Sequence, residues 1–501
     1  MATKNQKKRA AKKVVKQVKK NPKIFLVLVL IVLIIGGTFA ILYFTGTLDN
    51  IINKINGVKD AESTETTPQS TGSQSTSSQS SPAQSTGTGT HSHEDEDGIV
   101  ENIIYDDFQI HFLELGNDRA GDSVYIKAGD KDILIDAGSL GSSSTTIINY
   151  VNNYCTDGKL EYVIATHAHK DHIAGFAGTV NNKAKNYKGE TVGRTGVFYY
   201  YDVENLIDFA YTEKTGVDNK TAVSSDYSSS TEYGKYLSAR EFAIGNNTVH
   251  TTAKELWETN NTTIALAEGL TMDILYNYYY FNSSSDENNY SVCTMFNYNN
   301  HHFVLTGDLE KEGEEKLAEY YDGTTPEKTL PHCDLFKGGH HGSPTSSNEC
   351  LLEKLTPSMC CVCCCAGTSE YTPSLERQFP SQAFINRIAQ YTSRVYVTSM
   401  IEYIDNEWKF TSMNGNIIVS FNGIKVGLNA SNNLIRLKDT EWFNEKIYAV
   451  KTSENDTWNR AGDKIDIYNN CDRKNTTNFY TSETAGAVLV SRRVWPQNGV
   501  Q

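Results

Sequence analysis

Between residues 98 and 426 the apolar positions fall in short runs cut by Gly, Asn and Asp, the pattern of two-sided strands joined by tight turns. Phe108–Leu115, Ser123–Ala128 and Asp132–Asp136 predict three consecutive strands, residues 143–153 a helix, and residues 161–166 a further strand. Val197–Tyr201 reads as another strand, and the polar stretch 203–260 as helix and loop. Strands restart at Leu270–Asn277, Ser291–Asn297 and His302–Thr306. Glu310–Tyr321 sets Leu317 and Tyr320–Tyr321 against charged residues, as an amphipathic helix does. Asp334–Lys337 and Met359–Ala366 are further strands. Two strand-rich halves, each followed by helices, predict two packed sheets with helices on both outer faces.

The first 97 residues follow other patterns. Residues 1–23 hold ten Lys or Arg and no acid, and Ile24–Phe44 is an uncharged apolar run of 21 residues. At about 1.5 Å per residue such a run spans a bilayer. It is longer than a signal-peptide core and has no small-residue cleavage site, so it predicts an uncleaved transmembrane helix. The basic flank stays on the cytoplasmic side, which predicts a single-pass protein of the cytoplasmic membrane with everything after Thr45 outside. Residues 62–90 contain no Val, Ile, Leu, Met or aromatic residue. Such a segment cannot bury enough apolar surface to offset its ordering entropy, so 45–97 is expected to be a disordered linker. The expected plan is therefore tail 1–23, span 24–44, linker 45–97, catalytic domain 98–426, and an extension 427–501 of undetermined role.

Charge narrows the partners. The chain carries −14, and removing the ten cations of the tail leaves −24 for residues 24–501. That excludes a broad basic face for polynucleotide, though not a local basic groove. Five of the ten cysteines stand in Met359-Cys-Cys-Val-Cys-Cys-Cys-Ala366. In a strand adjacent cysteines alternate faces and cannot converge on one ion, so this run predicts a buried strand with Cys as a small hydrophobe. The Tyr199–Tyr201 and Tyr278–Tyr280 runs are expected to give mainly core.

The chemistry concentrates in Thr166-His-Ala-His-Lys-Asp-His172, directly after an apolar run. His167 and His169 are two apart, so in extended backbone they project to one side and can share a cation. Asp171 and His172 follow as the chain turns toward a helix, and point to a second cation. Asp136, Asp308 and the His340-His341 pair each come just after a predicted strand, so a sandwich gathers them along one edge. Imidazole and carboxylate together suit Zn²⁺, with Mn²⁺ or Fe as alternatives, at one or two ions per chain.

The series His111-Phe-Leu-Glu-Leu-Gly116, Asp136-Ala-Gly138, His167-Ala-His169-Lys-Asp171-His172, Thr306-Gly-Asp308 and Gly339-His340-His341-Gly342-Ser343 resembles the metallo-β-lactamase fold hydrolases. Within them it is most similar to the C-terminal hydrolase domain of ComEC-type competence proteins, over about residues 106–426, with Asn289-Tyr-Ser291, Ser346-Ser347 and Asn414-Gly-Asn-Ile-Ile-Val419 in support. Cell-wall phosphorylcholine esterases share similar motifs. The resemblance implies an α/β fold of αββα type and a metal-dependent hydrolase attacking phosphodiesters of nucleic acid or cell-wall polymer with a metal-activated hydroxide. Carried over, His167 and His169 bind a first metal, Asp171, His172 and His340 a second, and Asp308 bridges them, with the choice between His340 and His341 as the ligand left open by the sequence. Asp136 orients a ligand imidazole from behind, and His341 donates a proton or contacts the phosphoryl group. Three features depart from the pattern. Competence channels have many spans and this chain has one. The late His-Pro of the family is Phe379-Pro380 here. The only candidate for the family's additional ligand imidazole is His250, whose context is not a strand-end loop. That gap supports the alternative of a tethered surface-binding protein with a degenerate metal site.

Overall fold

Two mixed sheets pack face to face in the computed structural model, which describes residues 98–213, 218–372, 377–404, 407–444, 450–452, 458–459 and 487–489. The tail, span and linker expected within residues 1–97 lie outside the described residues. Among those described, no helix is long and apolar enough to cross a membrane. The first sheet holds β1 (Ile99–Glu101), β2 (Phe108–Phe112), β3 (Val124–Ala128), β4 (Lys131–Ile135), β5 (Lys159–Ile164), β6 (Asp202–Asp208), β7 (Val249–Thr252), β16 (Ile417–Phe421) and β17 (Val426–Ala430), in the order β1-β17-β16-β2-β3-β4-β5-β6-β7. The second holds β8 (Thr263–Ala267), β9 (Leu270–Ile274), β10 (Thr294–Tyr298), β11 (His301–Leu305), β12 (Leu335–Lys337), β13 (Met359–Ala366), β14 (Val395–Ile404) and β15 (Glu407–Ser412), in the order β15-β14-β13-β12-β11-β10-β9-β8. Val450–Thr452, Trp458–Asn459 and Ala487–Leu489 pair as a separate small sheet.

Period-two alternation builds the layers. In β13, Cys361 and Cys363 enter the core between the sheets, while Cys360, Val362 and Cys364 face the helices Lys311–Tyr320, Glu349–Leu355 and Gln382–Ile388 through Leu317, Leu351 and Phe384. All five cysteines of the run are buried and none forms a disulfide among the described residues, so they pack as small hydrophobes. Ser143–Val151, Lys170–Ala177 and Glu232–Gly245 cover the other outer face with Ile147, Phe176 and Tyr236.

Several elements differ from the expected pattern or add to it. Val197–Tyr200 is a short helix, entered at Gly196, which packs so closely on Phe176 and Ala177 that a Cβ there would lie 2.2 Å from the Phe176 carbonyl oxygen. The adjoining strands are β6 and β7, inside the polar stretch read as helix and loop. Tyr278–Tyr280 is a 3₁₀ turn with Tyr279 and Tyr280 buried. The extension after 426 is not separate from the sandwich at its start: β17 pairs with both β16 and β1, and Trp442 is buried in the outer layer with Leu437 and Phe443.

β4 runs parallel to β5, and β11 parallel to β12, so all four end at one edge of the sandwich. β3 runs antiparallel to β4, which brings the residues before β3 to that same edge. Asp122, Asp136, His167 to His172, Asp308, Lys337 and the His340-His341 pair all hang from these five strand ends.

Candidate metal centre

Asp136, just past β4, adopts a left-handed backbone (φ 59°) that turns its carboxylate across the end of β5. Its Oδ1 accepts from the Thr166 amide at 2.8 Å, and its Oδ2 accepts from Thr166 Oγ1 at 2.7 Å. The same Oδ2 lies 2.8 Å from His172 Nδ1, while His172 Nε2 lies 2.9 Å from Asp308 Oδ2. A carboxylate behind an imidazole fixes its ring and tautomer, the arrangement that prepares a histidine for a cation. The loop is close-packed: a Cβ on Gly138 would lie 1.4 Å from the Asp171 carbonyl oxygen.

His167 is fully buried, its Nδ1 3.1 Å from Thr166 Oγ1 and 3.4 Å from Ser291 Oγ. Its Nε2 lies 3.1 Å from His169 Nδ1. Asp171 sits in the first turn of the helix Lys170–Ala177, and its Oδ2 accepts from the Tyr371 hydroxyl at 2.5 Å.

After β12 the backbone is left-handed at three successive residues, His340 (φ 44°), His341 (φ 54°) and Gly342 (φ 79°). Two non-glycine residues there carry a steric cost, held by packing on both sides. The Ser343 amide closes the turn on the His340 carbonyl, and the Ser381 amide donates to the Gly342 carbonyl at 2.7 Å. Buried Glu314, its pKa pushed up to about 7 by burial, braces the following loop by accepting from the Ser347 and Asn348 amides. This turn drives the two imidazoles apart. His341 is fully buried, with Nε2 3.3 Å from Asp308 Oδ2 and 3.4 Å from Asp171 Oδ2, and Nδ1 3.0 Å from the Cys363 carbonyl. His340 stays at the rim, with Nδ1 2.9 Å from Glu310 Oε1 and Nε2 3.9 Å from Asp308 Oδ2.

The charges of the cluster are unevenly matched. Asp122, Asp136, Asp171 and Asp308 face one fixed cation, Lys337, whose Nζ lies 2.5 Å from Asp122 Oδ2 and 3.7 Å from Asp308 Oδ1. Burial works against the lysine's charge, but Asp122 and Asp308 outweigh it and raise its pKa. Carboxylates thus outnumber the lysine, and the imidazoles among them feel the excess negative charge. Burial opposes charge on His172 and His341 too, yet Asp308 with Asp136, and Asp308 with Asp122, hold both imidazoles well above the usual range, so without a cation they keep protons. His167 goes the other way: burial, then the neighbouring imidazoles His172 and His169, push it well below the usual range and keep it neutral. Two buried atoms, Asp308 Oδ1 and His341 Nε2, have no hydrogen-bond partner. Donor atoms of His167, His172 and Asp308, of Asp171, His172 and His341, and of Asp122, Asp308 and His341 each converge within 4.8 Å. Buried anionic oxygens, neutral imidazole nitrogen and unpartnered donor atoms fit divalent cations.

Set against the sequence, His167, His169, Asp171, His172 and Asp308 come together as a group, and Asp136 backs His172. The tandem histidines exchange the places expected of them. His341, expected to act as proton donor, stands among the ligand-competent groups; His340, expected to be a ligand, stands outside with Glu310. The physical reason is the left-handed turn, which defeats simple alternation. His250 is elsewhere: on β7, with Nε2 3.3 Å from Asp208 Oδ2, beside the buried Arg240–Asp208 pair. Sequence reading missed Asp122, Lys337 and Glu310. Asp122 stands in Gly121-Asp-Ser123, which looks like an ordinary turn, and Lys337 ends a strand where a lysine reads as solvent-facing.

The profile of the metallo-β-lactamase superfamily matches residues 116–186. Recombination protein 2 of Haemophilus influenzae is 27% identical over 114 residues, covering 23% of this chain and 12% of that protein. ComE operon protein 3 of Bacillus subtilis is 33% identical over 73 residues, covering 15% of this chain and 8% of that protein. The matched stretch thus spans 12% or less of these curated relatives. Among solved structures, the metallo-β-lactamase fold protein YhfI of Bacillus subtilis superposes with a TM-score of 0.31 at 10% identity, covering 58% of this chain and 95% of that one.

Proposed function

We propose that this chain, matched by the metallo-β-lactamase superfamily profile over residues 116–186 and similar to segments of recombination protein 2 and ComE operon protein 3, is a metal-dependent hydrolase of phosphodiesters, held outside the cytoplasmic membrane by residues 24–44. The observation that carries the catalytic part is the fully buried His172, backed by Asp136 on one nitrogen and facing Asp308 on the other. Divalent cations bound there would supply Lewis-acid polarisation of a phosphoryl oxygen and of water. The chain's own residues do the rest. His167, Asp171, His172, His341 and Asp308 present the donors. Asp136 fixes the His172 ring, and Lys337 holds Asp122 and Asp308 in place as a buried counter-charge. His340, at the rim and tied to Glu310, is the residue able to hand a proton to a departing oxygen.

Substrate remains part of the proposal. The named relatives act for a nucleic-acid strand, and the −24 charge of residues 24–501 acts for a cell-wall polymer. The test is full-length protein in detergent, assayed for bound metal and for turnover of a bis-aryl phosphodiester, single-stranded DNA and a teichoic-type polymer. Metal-dependent turnover of any of these supports the reading. Metal without turnover of any supports instead a tethered binding protein. The anchor is tested separately: protease added to intact cells should remove residues 98–501, and protection until lysis would refute the outside location.

A further inference from the structure

We propose that the side-chain oxygen of Asn288 is the third protein donor at the His167/His169 cation position, standing where an additional imidazole is missing. The proposal rests on the reading of this edge as a metal centre. His167 Nε2 and His169 Nδ1 lie 3.1 Å apart, and Asn288 Oδ1 lies 2.8 Å from that same His169 Nδ1. His169 Nδ1 thus has an imidazole nitrogen and an amide oxygen both within 3.1 Å. His167 Nδ1 is already engaged by Thr166 Oγ1 and Ser291 Oγ, which leaves Nε2 as the nitrogen that faces inward.

The amide has one orientation. Asn288 Nδ2 donates to Glu310 Oε1 at 3.3 Å, so the oxygen, and not the nitrogen, is turned on His169. The turn Glu287–Tyr290 that carries it is fastened from both sides. Its Asn288 amide donates to Asp286 Oδ1 at 3.0 Å, and Glu287 Oε1 accepts from the Ala168 amide at 3.0 Å. Ala168 lies between the two histidines, so the same fastening sets the distance between the turn and both rings. Asn288 itself is 5% exposed. His250, the imidazole the sequence offers for the role, lies instead in the first sheet with Nε2 3.3 Å from Asp208 Oδ2.

An amide oxygen is a neutral, hard donor. Two imidazoles and an amide hold Zn²⁺ less well than three imidazoles do, and disfavour Mn²⁺ less. The His167/His169/Asn288 position is therefore the weaker and more Mn²⁺-tolerant of the two. The opposed possibility is that Asn288 only accepts a hydrogen bond from His169 and orients it.

Calorimetric titration and elemental analysis of the full-length chain with Mn²⁺ and Zn²⁺ separate these. The parent should take up two ions of unequal affinity. Asn288→Ala should keep the tight ion and weaken the other by about 10–100-fold. Asn288→His, which supplies a third nitrogen, should keep two ions and raise the Zn²⁺-over-Mn²⁺ preference at the weaker position by about tenfold or more. Two ions at parental affinity in Asn288→Ala, or an unchanged metal preference in Asn288→His, overturns the assignment while leaving the metal centre standing. A parent chain that takes up no ion overturns the metal centre itself. Should Asn288→Ala fail to fold by circular dichroism, the Asn288→His preference decides alone.

Discussion

The two halves of the site are built from different materials. Around His172 and His341 the donors are carboxylates and protonated imidazoles, all buried, with Lys337 behind them. Around His167 the groups are a neutral imidazole, His169 and the Asn288 amide, with the Asp308 carboxylate within reach of His167 on the side shared with His172. The first half is rich in carboxylates, whose charge is offset without a cation by Lys337 and by protons on its imidazoles; the second has fewer charged groups. The difference predicts two cation positions of unequal affinity on one sheet edge, set by the charge of the groups around each.

The severest test of that contrast is Asp308→Asn, because Asp308 faces His172, His341 and Lys337 together. The swap keeps the shape and removes the charge. Metal content should fall at the carboxylate-rich position, and phosphodiester turnover should drop by roughly 10³-fold or more, the scale of losing a central electrostatic group. Turnover at the parental rate with metal retained would sink the mechanism.

Next in size is the pair His341→Ala and His340→Ala. Buried His341 should be needed for metal, and its loss should strip the carboxylate-rich position. His340→Ala should retain both ions and slow turnover by about 10²-fold, the lower range for a general acid. Elemental analysis of the two variants decides the assignment; metal lost from His340→Ala and kept in His341→Ala would reverse it.

The pH dependence sharpens the contrast further. His172 and His341 have raised pKa values without a cation, so a cation binding there displaces protons and its affinity falls as pH falls. His167 is already neutral, so the other position should release fewer protons. Calorimetry in buffers of different ionisation enthalpy counts them. The chelated protein should show the opposite trend in stability. A group whose folded pKa lies above its unfolded value stabilises fully below the unfolded imidazole range, and that stability is lost as pH rises through the folded values. Equal proton release at the two positions would remove the distinction.

The smallest expected effect is at Tyr371, half-exposed and donating to Asp171 Oδ2. Tyr371→Phe should change metal affinity at the carboxylate-rich position by about tenfold or less, as for an exposed hydrogen bond to a charged group. A loss as large as that of Asp308→Asn would place Tyr371 among the essential groups.

Much of this edge was legible because strand-end chemistry leaves a mark in sequence. Asp136, His167 to His172 and Asp308 each follow an apolar run, and the fold delivers them together. Alternation also separated the faces of the cysteine strand correctly. What could not be read depends on backbone shape or on ordinary residue types. The left-handed turn at His340 and His341 decides which ring is buried, and nothing in His-His reveals it. Asp122 and Lys337 become partners only when β3 and β12 meet across the two sheets. Asn288 carries a donor that ligand patterns built on imidazole and carboxylate do not include. β6 escaped because its polar residues, Asp202, Glu204 and Asn205, hide a strand buried mainly at its far end.

The cysteine strand has a bearing on lifetime. Cys360 to Cys365 are buried at the centre of the second sheet, and burial raises the thiol pKa of Cys360, Cys361, Cys363 and Cys365. Nucleophilic thiolate is therefore scarce while the sheet is intact. Once the sheet opens, five neighbouring thiols meet any oxidant together, and mispaired cross-links bar the way back. In oxidising surroundings the protein's persistence is then a matter of how rarely this sheet opens, a rate and not an equilibrium. Thiol trapping should follow global unfolding, and labelling of the strand in the native protein at a faster rate would show that it opens on its own.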